Sequence, residues 1–152
     1  MISHAERRLV PYAPRQVFDI VADVARYPEF LPWCVAARIR TRKEAEIVAD
    51  LVIGFRMIRE RFTSRVGLDA EGGEIRMVQA DGPFRVLTGH WRFLPAEGGT
   101  EIEFEVSFEF RSRALQALIG LLFHDAVRRM VAAFEARARA LYGPGATLPA
   151  PA

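Results

Sequence analysis

The chain offers few side chains suited to covalent or acid–base chemistry. It has three histidines, His4, His90 and His124, and one cysteine, Cys34. Metal sites need such groups at short, recognisable spacings, and these stand dozens of residues apart. His90 precedes Trp91 in an alternating stretch, so it points outward if Trp91 points inward. His124 falls on the polar side of a helical pattern, and His4 lies near the N-terminal edge. Cys34 follows Trp33 in apolar surroundings and is expected as a buried, inert thiol. Asp50 interrupts an apolar strand whose Leu51 and Ile53 claim the core, so it is expected at the surface and not as a general base. Gly82 and Gly89 have no helix start after them, which excludes a phosphate-binding loop. No catalytic residue and no metal site are expected.

The aromatic residues are more informative. Eleven Phe, three Tyr and two Trp spread over most of the chain, and Phe62, Trp91, Phe93, Phe104, Phe108 and Phe134 take core-facing positions. An ordinary core accounts for most of them. A strongly bent sheet against one helix rarely closes completely, so some of them are expected to line an apolar cavity.

The elements that would position these residues can be read from periodicity. Residues 100–110 alternate: Ile102, Phe104, Val106, Phe108 and Phe110 share one face, opposite Glu101, Glu103, Glu105, Ser107 and Glu109. After Arg111-Ser112-Arg113 the period becomes helical, with Leu115, Leu118, Ile119, Leu122, Ala126, Val127, Met130, Phe134 and Leu141 recurring at helical spacing. The pattern predicts one helix of about 28 residues, on the order of 40 Å long. Upstream it predicts a strand over 3–10, a short helix over 14–25 and, over 27–33, a proline-constrained turn or single helical turn. Strands follow over 35–41, 45–53, 56–68, 74–79 and 85–94. The fold class is therefore α+β: a curved antiparallel sheet of about seven strands wrapped around a long C-terminal helix, with two short helices after the first strand. The domain is expected over 1–143, followed by a disordered tail over 144–152 rich in Pro and Ala.

Within the helical pattern, Leu115, Leu118, Ile119, Leu121, Leu122 and Phe123 spread over roughly 200°, wider than one buried stripe needs. Burial under loops or a dimer contact would account for that width. So would an exposed lip of Leu115, Ile119, Leu121 and Phe123 at the cavity mouth, flanked by Arg111 and Arg113, that dips into a membrane interface.

Composition bounds the rest. The chain has 152 residues, 51% hydrophobic and 26% charged, enough apolar material for one sizeable core. A single cysteine precludes an internal disulfide framework and suits a reducing compartment. The first residues carry Glu6, Arg7 and Arg8 and no apolar run, so no signal peptide is expected. The expected location is cytoplasmic, peripheral on the inner face of the membrane. Net charge is +2, but residues 111–139 carry six arginines against Asp125 and Glu135, leaving −2 for the remainder. Such a basic helix face is either solvated or turned to an acidic surface, lipid headgroups or RNA phosphates.

The octapeptide Tyr27-Pro28-Glu29-Phe30-Leu31-Pro32-Trp33-Cys34 resembles the signature of the coenzyme Q-binding START-like family. Gly82-Pro83-Phe84 with Leu87, Gly89, Trp91 and Phe93 is similar to that family's second motif. The run Phe108-Glu109-Phe110-Arg111-Ser112, with Phe134-Glu135-Ala136-Arg137-Ala138 near the end, is similar to its third. The resemblance implies a helix-grip fold that binds ubiquinone or a related isoprenoid quinone. It further implies a lipid carrier or chaperone supporting respiration and quinone biosynthesis without chemical turnover. Bacterial members of the RatA type are ribosome association toxins, which implies the large ribosomal subunit as an alternative partner. An aromatase or cyclase on the same fold is a third possibility, for which the sequence offers no converging acid–base set. No cofactor is expected beyond the bound quinone, and no DNA partner. From parity and motif position, the expected cavity lining is Trp33, Phe62, Phe84, Leu87, Trp91, Phe104, Leu118, Leu122, Met130 and Phe134.

Overall fold

The computed structural model describes residues 1–55 and 58–144. In chain order the elements are β1 (Ile2–Val10), α1 (Pro14–Ala22), a 3-10 helix (Val24–Glu29), β2 (Cys34–Arg42), β3 (Glu46–Phe55), β4 (Ile58–Asp69), β5 (Glu74–Asp81), β6 (Phe84–Ala96), β7 (Gly99–Phe110), α2 (Arg113–Gly120) and α3 (Phe123–Tyr142). The seven strands form one sheet in the order β1-β7-β6-β5-β4-β3-β2. Every described pairing is antiparallel. Strands β2 to β7 pair in succession, as short turns between alternating strands require. Strands β1 and β2, neighbours in sequence, end up on opposite edges. Their connection is α1 and the 3-10 helix, which pass across the concave face.

Alternation decides which side chains enter that face. In β7 Ile102, Phe104, Val106, Phe108 and Phe110 are all buried, and the glutamates between them are not. Helix α1 begins with Pro14, whose missing N–H costs nothing in the first turn. Gln16 reaches back to accept from the backbone N–H of Ala13 at 2.9 Å. The buried face of α1 is Val17, Phe18, Ile20 and Val21, each worth roughly 1.5–3 kcal/mol in removal from water. Phe18 meets Phe93 of β6 edge-on at 5.8 Å. Thr100, fully buried, donates to the carbonyl of Tyr12 at 2.6 Å and ties β7 to the start of this crossing.

The structure departs from the sequence expectations at three places. The single long helix is two, α2 and α3, broken at Leu121 and Leu122. The break follows Gly120, the poorest helix former short of proline. A Cβ at Gly120 would come within 3.0 Å of Ile2 Cδ1, so glycine also lets α2 lie close against β1. The short helix expected over 14–25 ends at Ala22, and a separate 3-10 helix, Val24–Glu29, runs into the 27–33 segment and contains Pro28. Asp50 is buried, at 5% exposure, and not on the surface. It lies on the outer face of the sheet, opposite in parity to Leu51, beneath two arginines. Of the tail expected over 144–152, all but Pro144 lies outside the described residues.

Candidate functional site

The concave face of the sheet is filled in one half and hollow in the other. The filled half is an aromatic wall. Trp91 packs on Phe104 at 4.2 Å between ring centroids and against Phe134 of α3 at 5.2 Å. Phe134 is met edge-on by Tyr27 at 5.5 Å and by Phe30 at 5.2 Å. Such edge-to-face contacts add stabilisation beyond area burial. The octapeptide is thus mostly a wedge that plugs this end. Tyr27 donates its hydroxyl to the carbonyl of Val21, and burial raises the phenol pKa well above its usual range, with lesser contributions from Cys34 and Asp23. Phe30 also lies under the Arg137 guanidinium, 5.1 Å from the ring centre.

The hollow half is a cavity of about 200 Å³. Phe104, Val106, Phe108 and Phe110 of β7, Phe84 and Leu87 of β6, Met77 of β5 and Phe62 of β4 form its floor. Its roof is Ile119 of α2, Leu122 in the break, and Phe123, Ala126, Val127 and Met130 of α3. Trp33, Ile53, Gly54, Ile58 and Glu60 complete one side. These five are half-buried, as are Ile119, Leu122 and Phe123 across from them, so the mouth lies between the β3–β4 end and the α2–α3 break. Phe84 stacks on Phe110 at 4.4 Å, and Phe123 meets Phe108 at a tilt at 4.2 Å, which stiffens floor and roof.

Glu60 is the one ionisable residue in this lining among the described residues. A surface so apolar can take a ligand with a large hydrocarbon part and few polar atoms. Among the described residues the lining holds no acid–base pair with which to turn a substrate over. Cys34, buried beside Trp33, has its thiol pKa raised to about 11 by burial, against a lesser pull from a backbone contact to Ala36, so it is a poor nucleophile. The Nε1–H of Trp33 is buried without a partner among the described residues.

Of the residues expected to line the cavity, the structure brings together Trp33, Phe62, Phe84, Leu87, Phe104, Leu122 and Met130. Three expectations are corrected. Trp91 and Phe134 are core-facing but bury themselves in the aromatic wall, each against the other. Leu118 is 48% exposed, because the helix break turns its side of α2 outward. Two members of the expected lip, Ile119 and Phe123, face the cavity instead. Leu121 is 86% exposed and Leu115 half-buried, so the outward apolar edge is Leu118 and Leu121, beside exposed Arg111 and Arg113.

Sequence reasoning missed Val106, Phe108 and Phe110 as lining residues, and with them Ile53, Gly54, Ile58, Glu60, Met77, Ala126 and Val127. The alternation of β7 did mark the first three as inward, but parity cannot tell a packed inward residue from one beside a void. It also missed a pair of histidines. His4 and His124 approach Nδ1 to Nδ1 at 2.7 Å, joining β1 to the first turn of α3. His90 does point away from Trp91, to Glu74 at 3.0 Å.

Comparison with known proteins places this architecture. Residues 10–135 match the family described as polyketide cyclase / dehydrase and lipid transport. The chain belongs to this family. Within it, the ribosome association toxin RatA of Rickettsia prowazekii is 38% identical over 142 residues, 91% of this chain and 97% of the toxin. The mitochondrial coenzyme Q-binding protein COQ10 homolog B of Xenopus laevis is 35% identical over 147 residues, 93% of this chain and 60% of that protein. The crystal structure of the Zhui aromatase/cyclase from Streptomyces sp. R1128 superimposes with a TM-score of 0.82, covering 92% of this chain and 95% of the other at 17% identity. That likeness shows the fold alone, the helix-grip START-like fold that the family shares. Among the described residues no helix is long and apolar enough to cross a membrane.

Proposed function

We propose that this protein binds ubiquinone or a related isoprenoid quinone in the cavity and carries it without chemical turnover. One observation carries the reading: a hollow lined almost wholly by apolar side chains, with a mouth beside the α2–α3 break. The similarity to a COQ10 homolog supports it. At about 200 Å³ the hollow is below the roughly 300–1,000 Å³ of most small-molecule sites. It takes a quinone ring and the first prenyl units, and the rest of the tail leaves through the mouth. Leu118 and Leu121, with Arg111 and Arg113, form an amphipathic edge near that mouth, fitted to meet an anionic bilayer while a prenylated ligand passes. Protein purified from a quinone-containing host should yield extractable quinone by mass spectrometry, near one per chain after reconstitution. Neither bound nor bindable quinone under these conditions rejects the reading.

A second reading is association with the large ribosomal subunit, favoured by the RatA relative, which aligns over 97% of its own length. Overexpression should then shift ribosomes from joined particles to separate subunits on gradients. Unchanged profiles at high expression remove it.

A further inference from the structure

The face of the sheet turned away from the cavity carries its own pattern. Residues 34–66 contain eight basic and four acidic side chains, a surplus of four in a chain whose net charge is +2. On β2, β3 and β4 the register places Arg38, Asp50 and Thr63 in one row across the outer face. Arg61 stands opposite Val52 and Arg65 opposite Val48, on that same face. Asp50 accepts from Arg40 Nε at 2.7 Å and Arg61 Nη2 at 3.0 Å through one oxygen, and from Thr63 at 2.6 Å through the other. These bonds, the Thr63 hydroxyl first, hold its carboxyl far below the usual carboxylate range, so it stays ionised. The carboxylate is sunk beneath the two guanidinium groups, whose side chains remain 54% and 63% exposed. It therefore fixes their orientation while their remaining N–H groups face solvent. Arg38 and Arg59 make no ion pair among the described residues.

We propose that the outer face of β2–β4 is a docking surface for the phosphodiester backbone of RNA. The reading is independent of the cavity, and supplies a contact face for the ribosomal alternative. Arginines at alternate positions of a strand repeat at about 7 Å, and adjacent strands lie about 4.8 Å apart, so the guanidinium groups form a two-dimensional grid. Guanidinium suits bidentate contact with phosphate, and prior fixing by Asp50 lowers the entropy lost on docking. A bilayer is a poorer match. Among the described residues of β2–β4 the one exposed large apolar side chain is Val35, so nothing on this face inserts into lipid.

The test is fluorescence polarisation with a labelled RNA hairpin of about 24 nucleotides, at 50 and 200 mM salt. The full chain should bind with steep salt dependence. The double variant Arg38→Gln/Arg59→Gln should bind at least tenfold more weakly, and its log–log salt slope should be shallower by about 1.5, as loss of two phosphate contacts requires. The variant Arg128→Gln/Arg129→Gln, which removes the same charge from α3, should bind within twofold of the parent. No RNA binding at 50 mM salt overturns the proposal. So does an unchanged β2–β4 variant, or a loss confined to the α3 variant. Loss of binding to phosphatidylglycerol vesicles but not to RNA in the β2–β4 variant assigns the face to lipid and overturns it as well. Retained quinone extraction from the same preparations separates failure here from failure of the cavity reading.

Discussion

At the scale of single residues, Asp50 shows how burial and charge combine. A carboxylate in this position would be costly alone, and three donors offset that cost. Its folded pKa lies below its unfolded value, so its contribution is present above the ordinary carboxylate range and fades as pH falls through it. Asp50→Asn should lower stability by about 2 kcal/mol at pH 7, the loss of charge-assisted bonds. Below about pH 4 the gap to the parent should narrow, because the parent then loses what the variant never had. Urea unfolding at pH 7 and pH 3 measures both values. A gap that is constant or larger at pH 3 contradicts the assignment.

At the scale of elements, the break between α2 and α3 matters most. An unbroken helix would carry Leu118 and Leu122 along one stripe. The break instead sends Leu122 inward to the cavity and leaves Leu118 and Leu121 outside. Ser112 caps α2 by accepting from the Leu115 N–H at 3.2 Å, and Gln116 accepts from the Phe110 N–H at 2.8 Å, so α2 is tied to the end of β7 at its start. Because Leu121 is almost fully exposed, Leu121→Glu should leave the melting temperature within about 2 °C. The same change should weaken binding to phosphatidylglycerol vesicles severalfold in a flotation assay. Equal vesicle binding would remove the membrane edge from the carrier reading.

At the scale of the whole molecule, the concave face is divided between a plug and a hollow. The plug is built by α1, the 3-10 helix and the C-terminal half of α3, and its aromatic wall ends at Phe104, which faces both regions. Filling the hollow should therefore leave the plug undisturbed. Ala126→Phe places a ring into the void from α3. In the quinone extraction experiment this variant should carry at least tenfold less ligand, while its unfolding free energy stays within about 1.5 kcal/mol of the parent. Ligand content equal to the parent's would place the quinone elsewhere on the chain.

Strand alternation and helical period determined much of this molecule from the sequence alone. Seven strands, their inward faces, the short helices after β1 and the aromatic content of the interior all follow from local steric periods of two and 3.6 residues. The octapeptide pointed to the family by itself. Where the hollow lies was decided only by the tertiary structure. Periodicity reports which way a side chain points and not what it meets. Trp91 and Phe104 are equally inward in the sequence, yet only Phe104 borders the cavity, because α3 brings Phe134 onto Trp91. The burial of Asp50, the outward turn of Leu118 and the approach of His4 to His124 likewise depend on partners 10 to 120 residues away. Such contacts arise from packing of separate elements, and no local spacing encodes them.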